Sequence, residues 1–267
     1  MPAISICVLL TAACGDHGSA AKTSTTPAPT SSPAQLTMTT TPPAASTTPM
    51  DAAALPLCGD VKASGSDSPP DCKLISRDRA ALTFIVRHTV FKKTDKRDLT
   101  IDVVGGDGKV RQTIHVLPDD GSGITSPAEP TLRNLADDGR DQLVVPLSLA
   151  MSGNARFTVY RATDAKPDFD WAGDVSGFGV DRTTSGYIAA ESKNGAAEHY
   201  TDFWHFVDSP LGPHLKVVAG ILRTFKADGS SICVANDQGV RGDSGLSDED
   251  LARKFCAEEL IAAKPVG

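Results

Sequence analysis

Apolar and polar residues alternate in short runs along most of the chain, and turn-forming residues separate the runs at close intervals. ALTFIVRHTVF (81–91) carries Phe84, Ile85, Val86 and Val90, the β-branched and aromatic content that favours a pleated strand. DLTIDVV (98–104) and VRQTIHV (110–116) flank GGDGK, where Asp107-Gly108 predicts a hairpin. QLVVPLSL (142–149) and ARFTVYRAT (155–163) face each other across Met151-Ser152-Gly153-Asn154. GYIAAESK (186–193) and EHYTDFWHFV (198–207) are joined through Asn194-Gly195, the strongest short-range hairpin signal in the sequence. LKVVAGILRTF (215–225) and SSICVAN (230–236) follow, with Asp228-Gly229 between them.

The period changes near the C-terminus. Ser247 with Asp250 three residues on forms an N-terminal capping pattern, and Leu251, Phe255 and Leu260 make an apolar stripe with Ala252 and Cys256. This predicts a helix over 247–263, packed over one end or edge of a sheet. The expected fold is mainly β: an antiparallel sandwich, barrel or partial propeller with one C-terminal helix.

The pattern fails at the other end. Residues 14–54 are dominated by Thr, Pro, Ala and Ser, with too little large apolar content to offset the entropy of ordering, so a disordered, extended linker is expected there. As polyproline II it would reach on the order of 120 Å. Before it, Ile4 to Leu10 is an apolar run too short to span a bilayer, which makes 1–13 a signal peptide. Leu10-Thr11-Ala12-Ala13-Cys14 resembles the lipobox of bacterial lipoproteins, which implies lipid attachment at Cys14 and a cell-envelope, periplasm-type location on a membrane anchor. The β-rich domain is then 55–267.

Composition narrows the partners. Lys and Arg total 26 against 33 Asp and Glu, a formal charge of -7, which repels a phosphate backbone and argues against nucleic acid. With Cys7 and Cys14 assigned to the leader, Cys58, Cys72, Cys233 and Cys256 remain for the folded part. Four exported cysteines allow three pairings, of which we favour Cys58 with Cys72 and Cys233 with Cys256.

Candidate chemistry is sparse. Asn134 to Leu143, NLADDGRDQL, resembles the calcium loop of FG-GAP and VCBS-type β-repeat proteins. The resemblance implies ligands from the side chains of Asn134, Asp138 and Gln142 and from the Arg140 carbonyl. Ala136 stands where that family places Asn or Asp, and the plainer reading is a metal-free turn feeding strand 142–149. Gly242-Asp243-Ser244-Gly245 resembles the nucleophile segment of chymotrypsin-like proteases, with His88 and Asp102 as the upstream pair in the right order. Arg241-Gly242-Asp243 also spells an integrin tripeptide. His199 and His205 share one face of their strand, while Tyr200, Trp204 and Phe206 share the other with Asp202.

No constellation specifies nucleophile, base and oxyanion site together. The expectation is therefore a lipid-anchored, non-catalytic binding module with an unidentified envelope or cell-wall partner and no cofactor beyond the calcium candidate. Two alternatives are an inhibitor or immunity protein against a cell-wall hydrolase, by fold-level analogy, and an envelope serine hydrolase using Ser244.

Overall fold

Within each sheet neighbouring strands pair antiparallel, and the chain lays down three meanders in succession, the last short strand alone returning to the start of the third. The computed structural model describes residues 54–61, 69–91, 96–116, 118, 123–164, 167–236, 242 and 244–261, all within one unit, Thr47–Gly267. Residues 1–53, and with them Cys14 and most of the linker, lie outside the described residues, as do Arg241 and Asp243.

The first sheet runs β1 (Cys72–Ile75), β2 (Thr83–Phe91), β3 (Lys96–Val104), β4 (Val110–Val116) in spatial order. The second runs β5 (Thr131–Arg133), β6 (Gln142–Leu149), β7 (Ala155–Arg161), β8 (Asp170–Gly177). The third contains β9 (Asp181–Thr183), β10 (Ile188–Lys193), β11 (Glu198–Ser209), β12 (Gly212–Phe225), β13 (Ser231–Ala235) and β14 (Leu260–Ile261), ordered β13-β12-β11-β10-β9-β14. Among the described residues the molecule is mainly β with one α-helix and no closed barrel, and its sheets stack as in a sandwich.

Alternation explains the stack. Leu99, Ile101 and Val103 put one face of the first sheet against Leu143, Val145 and Leu147 of β6, while Thr100 and Asp102 face away. Val144 and Val159 point to the opposite face of the second sheet and pack with Ile188, Ala190 and Trp204 of the third. The middle sheet is thus covered on both sides, which is why β6 reads as a nearly unbroken apolar run. Gly177 lets the second and third sheets approach: a Cβ there would lie 2.6 Å from the Glu191 carbonyl oxygen.

The helix α1 spans Asp248–Phe255, shorter than the 247–263 its apolar stripe predicts. Ser247 caps it, accepting from Asp250 N at 3.2 Å, and three acidic residues fill the first turn. It stops because Cys256 is bonded to Cys233 on β13 and the chain must turn to pair Leu260 with Thr183 on β9. Leu251 and Phe255 lie over the face of the third sheet against Phe203, Ala219 and Ile221, so the helix covers a face rather than an end or edge. The second disulfide, Cys58 to Cys72, fastens the Cys58–Asp60 turn to β1. Two disulfides fit an oxidising compartment. No helix among the described residues is long and apolar enough to cross a membrane.

Candidate functional site

Four connecting segments, from all three sheets, meet at one end of the stack. They are the β1–β2 turn, the β5–β6 loop, the segment after β7 and the β11–β12 turn, and between them lies a cleft of about 410 Å³. That volume is in the range of small-molecule sites. Arg79, Arg140 and Arg161 line it together with Asp138, Asp164 and Asp208.

The β5–β6 loop forms one wall, and its local chemistry fixes its shape. Gln142, fully buried, accepts from Leu135 N at 2.5 Å and Ala136 N at 3.3 Å, and its amide donates to the Arg140 carbonyl at 2.9 Å. Asp138 accepts from Arg140 N at 3.0 Å. Asp137 has φ 56° and Gly139 φ 73°, left-handed positions that a short acidic side chain and a glycine respectively tolerate. A reciprocal clamp ties the loop to the β1–β2 turn: Asp141 accepts from Arg77 N at 2.9 Å, and Asp78 accepts from Asp141 N at 3.0 Å.

The calcium candidates therefore have other engagements. Gln142 and the Arg140 carbonyl satisfy each other and the loop backbone, Asp138 pairs with Arg161 at 3.1 Å, and Asn134 is exposed. Because every partner is internal, we expect the thermal midpoint to be the same in millimolar calcium and in excess chelator. Differential scanning fluorimetry would read this directly, since a ligand of the native state alone must raise the midpoint.

At the floor sit two guanidiniums. Arg140 is 9% and Arg161 8% exposed. Arg161 donates to Asp208 at 2.7 Å and Asp138 at 3.1 Å, with its guanidinium 4.5 Å from the Phe206 ring centroid. Arg140 donates to Asp164 at 3.2 Å. The Nε of each is buried and meets no acceptor among the described residues. At the mouth, Arg79 pairs with Asp164, and these two side chains are 70% and 71% exposed. Arg79, then Arg140, holds the Asp164 carboxyl below its ordinary range, so it stays ionised.

A second ionic cluster lies at the other end of the first sheet. His88 Nε2 is 3.1 Å from Glu129, and Arg97 donates to Glu129 at 2.9 Å. His88 Nε2 is close to the carboxylate but poorly aligned for a hydrogen bond. Arg97 also approaches His88 Nδ1 at 3.2 Å, which makes that nitrogen the acceptor and leaves the proton on Nε2. Cys72, His88 and Glu129 are the one group of metal-ligand type among the described residues. Cys72 is oxidised, however, and its sulfur is no thiolate.

The remaining candidates are dispersed. Ser244 accepts from Leu246 N at 3.3 Å in the loop ahead of α1, and that loop is seated on β12, where a Cβ at Gly242 would lie 2.1 Å from the Val218 backbone. His88 is held by Glu129, and Asp102 by Arg87 and Thr113, both in the first sheet and two layers from Ser244. The structure does not bring the three together. His199 is paired with Glu191 and packed between Phe178 and Phe225, whereas His205 is exposed. Trp204 is a core residue, and Phe206 is partly buried against the same core. Asp202, on the same strand, is a half-buried carboxyl pushed up by desolvation.

Sequence reasoning reached the 134–143 loop but not Arg79, Arg161, Asp164 or Asp208. The available signal was charge at strand ends: Arg161 closes β7 and Asp208 lies one residue from the end of β11. Comparison with known protein families, curated proteins and solved structures finds no match to the chain.

Proposed function

We propose that the protein is a lipid-anchored envelope binding module that presents the arginine-lined cleft to a ligand from the end of a Thr/Pro/Ala/Ser-rich spacer. The observation that carries the binding role is the cleft itself. Three sheets each contribute a turn to it, and each of two nearly buried guanidiniums at its floor keeps an N–H that meets no acceptor among the described residues. Burying a cation is costly unless it is well paired, and a fold that stabilises two such groups at an open cleft has a use for them. The rim carries its own counter-charges, so no nucleophile or general base is needed for the arrangement to work: it recognises.

The anchoring part of the proposal rests on the sequence. Cys14 after Leu10-Thr11-Ala12-Ala13 receives the lipid, and 15–54 acts as the spacer. The test is capture from envelope extract with the whole chain and its Arg140→Gln variant as baits. Gln keeps a polar side chain, two atoms shorter, while removing charge and fork geometry. Loss of the captured species with the variant supports the cleft as the binding site; equal capture by both baits sinks that assignment. Labelling of the chain with radioactive palmitate, abolished by Cys14→Ser, tests the anchor separately.

A further inference from the structure

We infer that the ligand of the cleft is a small zwitterion, an amino acid or short peptide with a free carboxylate and a free ammonium group; this rests on the cleft being the binding site. The floor asks for acceptors. A guanidinium offers five N–H donors, and Arg140 has a single carboxylate partner among the described residues, Asp164 at 3.2 Å. Its Nε and that of Arg161 are buried and meet no acceptor among the described residues, so an incoming ligand engages the remaining N–H groups of Arg140. A carboxylate is the planar, two-oxygen acceptor that matches such a fork.

Asp164 shows where that carboxylate goes. Its own carboxylate sits on Arg140, yet the side chain is 71% exposed and its other partner, Arg79, is 70% exposed. Neither is held by burial, so the pair can swing out together with its charges still matched. Asp164 acts as an internal stand-in, occupying the place of the ligand's carboxylate until one arrives.

The rim asks for a cation. Three arginines face three aspartates, so the cleft is neutral, and a plain anion would gain at the floor while meeting carboxylates at the rim. Asp208 lies there, 62% exposed and bonded through one oxygen to Arg161. An ammonium group beside it turns that repulsion into a second ion pair. Ser209 and Thr163 also line the cleft.

The experiment uses the whole chain and calorimetric titration with alanine, Ala-Ala, N-acetyl-Ala-Ala and Ala-Ala amide. The unmodified compounds should bind. Acetylation, which leaves only the anion, and amidation, which leaves only the cation, should each weaken binding by about tenfold or more, the scale of one charge-assisted contact. Alanine binding as tightly as Ala-Ala identifies an amino acid; preference for Ala-Ala identifies a peptide. Two exposed-residue variants, which spare the core, make the assignment specific. Asp164→Asn should tighten the unmodified compounds several-fold by removing the stand-in. Asp208→Asn should erase the difference between free and acetylated amine. Equal binding of all forms, weaker binding by Asp164→Asn, or no binding of any compound overturns the zwitterion. If none binds while Arg140→Gln still abolishes capture from extract, the ligand class alone is wrong. If capture is also unchanged, the cleft is not the binding site.

Discussion

Replacing Arg97 with methionine is expected to lower the unfolding free energy by about 3–5 kcal/mol, the cost of stranding one member of a buried ionic cluster. The side chain is 6% exposed, and its partners Glu129 and His88 are 11% and 1% exposed. It serves four acceptors: Glu129, His88 Nδ1, and the carbonyls of Ser126 at 2.7 Å and Ala128 at 2.6 Å. Methionine fills much of the volume and offers none of those donors. Two carbonyls and a carboxylate then lose their partners in a place water reaches poorly. Arg79→Met is the matched control, because a fully exposed pair contributes little to stability.

The same cluster sets a pH dependence. Burial pushes the Glu129 carboxyl up, but the close approach of His88 and then of the Arg97 guanidinium outweighs it and leaves the group below its ordinary range. A lowered folded-state value stabilises the native protein above the unfolded value of about 4.3, and that contribution drains away as pH falls through the folded value. Without Arg97 the depression shrinks, so the variant should lose less of its remaining stability between neutral pH and pH 4 or below. Urea unfolding at both pH values measures this. A loss under about 1 kcal/mol at pH 7 would mean the cluster is no better than a surface pair.

Local chemistry made much of the fold legible. Asp107-Gly108, Asn194-Gly195 and Asp228-Gly229 each join the strands their flanking runs predict, with Gly108, Gly195 and Gly229 all at positive φ. The strands that escaped notice lack such signals. β8 is DWAGDVSG, short of β-branched residues, and it exists because Val175 and Ala172 fill space between sheets and Gly177 permits close contact. β5 and β9 are three residues long, below the length at which alternation can be recognised. Leu260 continued the apolar stripe of α1 on paper, but tertiary demands took it into β14. The cleft was the least legible part. Arg79, Asp138, Arg161 and Asp208 come from four connections spread over some half of the chain, and only the stacking of three sheets brings them together. No spacing rule can see such a site, whereas the self-contained 134–143 loop was visible because its glycine and acids are adjacent.

Phe255→Ala should have a comparably large effect, about 3–5 kcal/mol. The ring is fully buried, with its centroid 4.8 Å from that of Phe203 and 5.0 Å from that of Tyr187. A helix of eight residues has little stability of its own, so α1 is held by what it docks on: Leu251, Phe255 and the Cys233–Cys256 bridge. Truncating Phe255 removes the largest of these contacts and loosens the segment that carries β14 to the free edge of β9. The bridge keeps the helix close even when it is undocked, so the two restraints should couple. In the oxidised protein the Phe255→Ala loss should be near the lower figure. In the Cys233→Ala, Cys256→Ala background it should approach the upper one, because nothing then limits how far the helix drifts. A double-mutant cycle in urea, with exchange protection of the β14 amides as a local readout, measures the coupling. Strict additivity would show that bridge and ring act on separate parts of the structure, and that α1 is not the single docked unit its contacts describe.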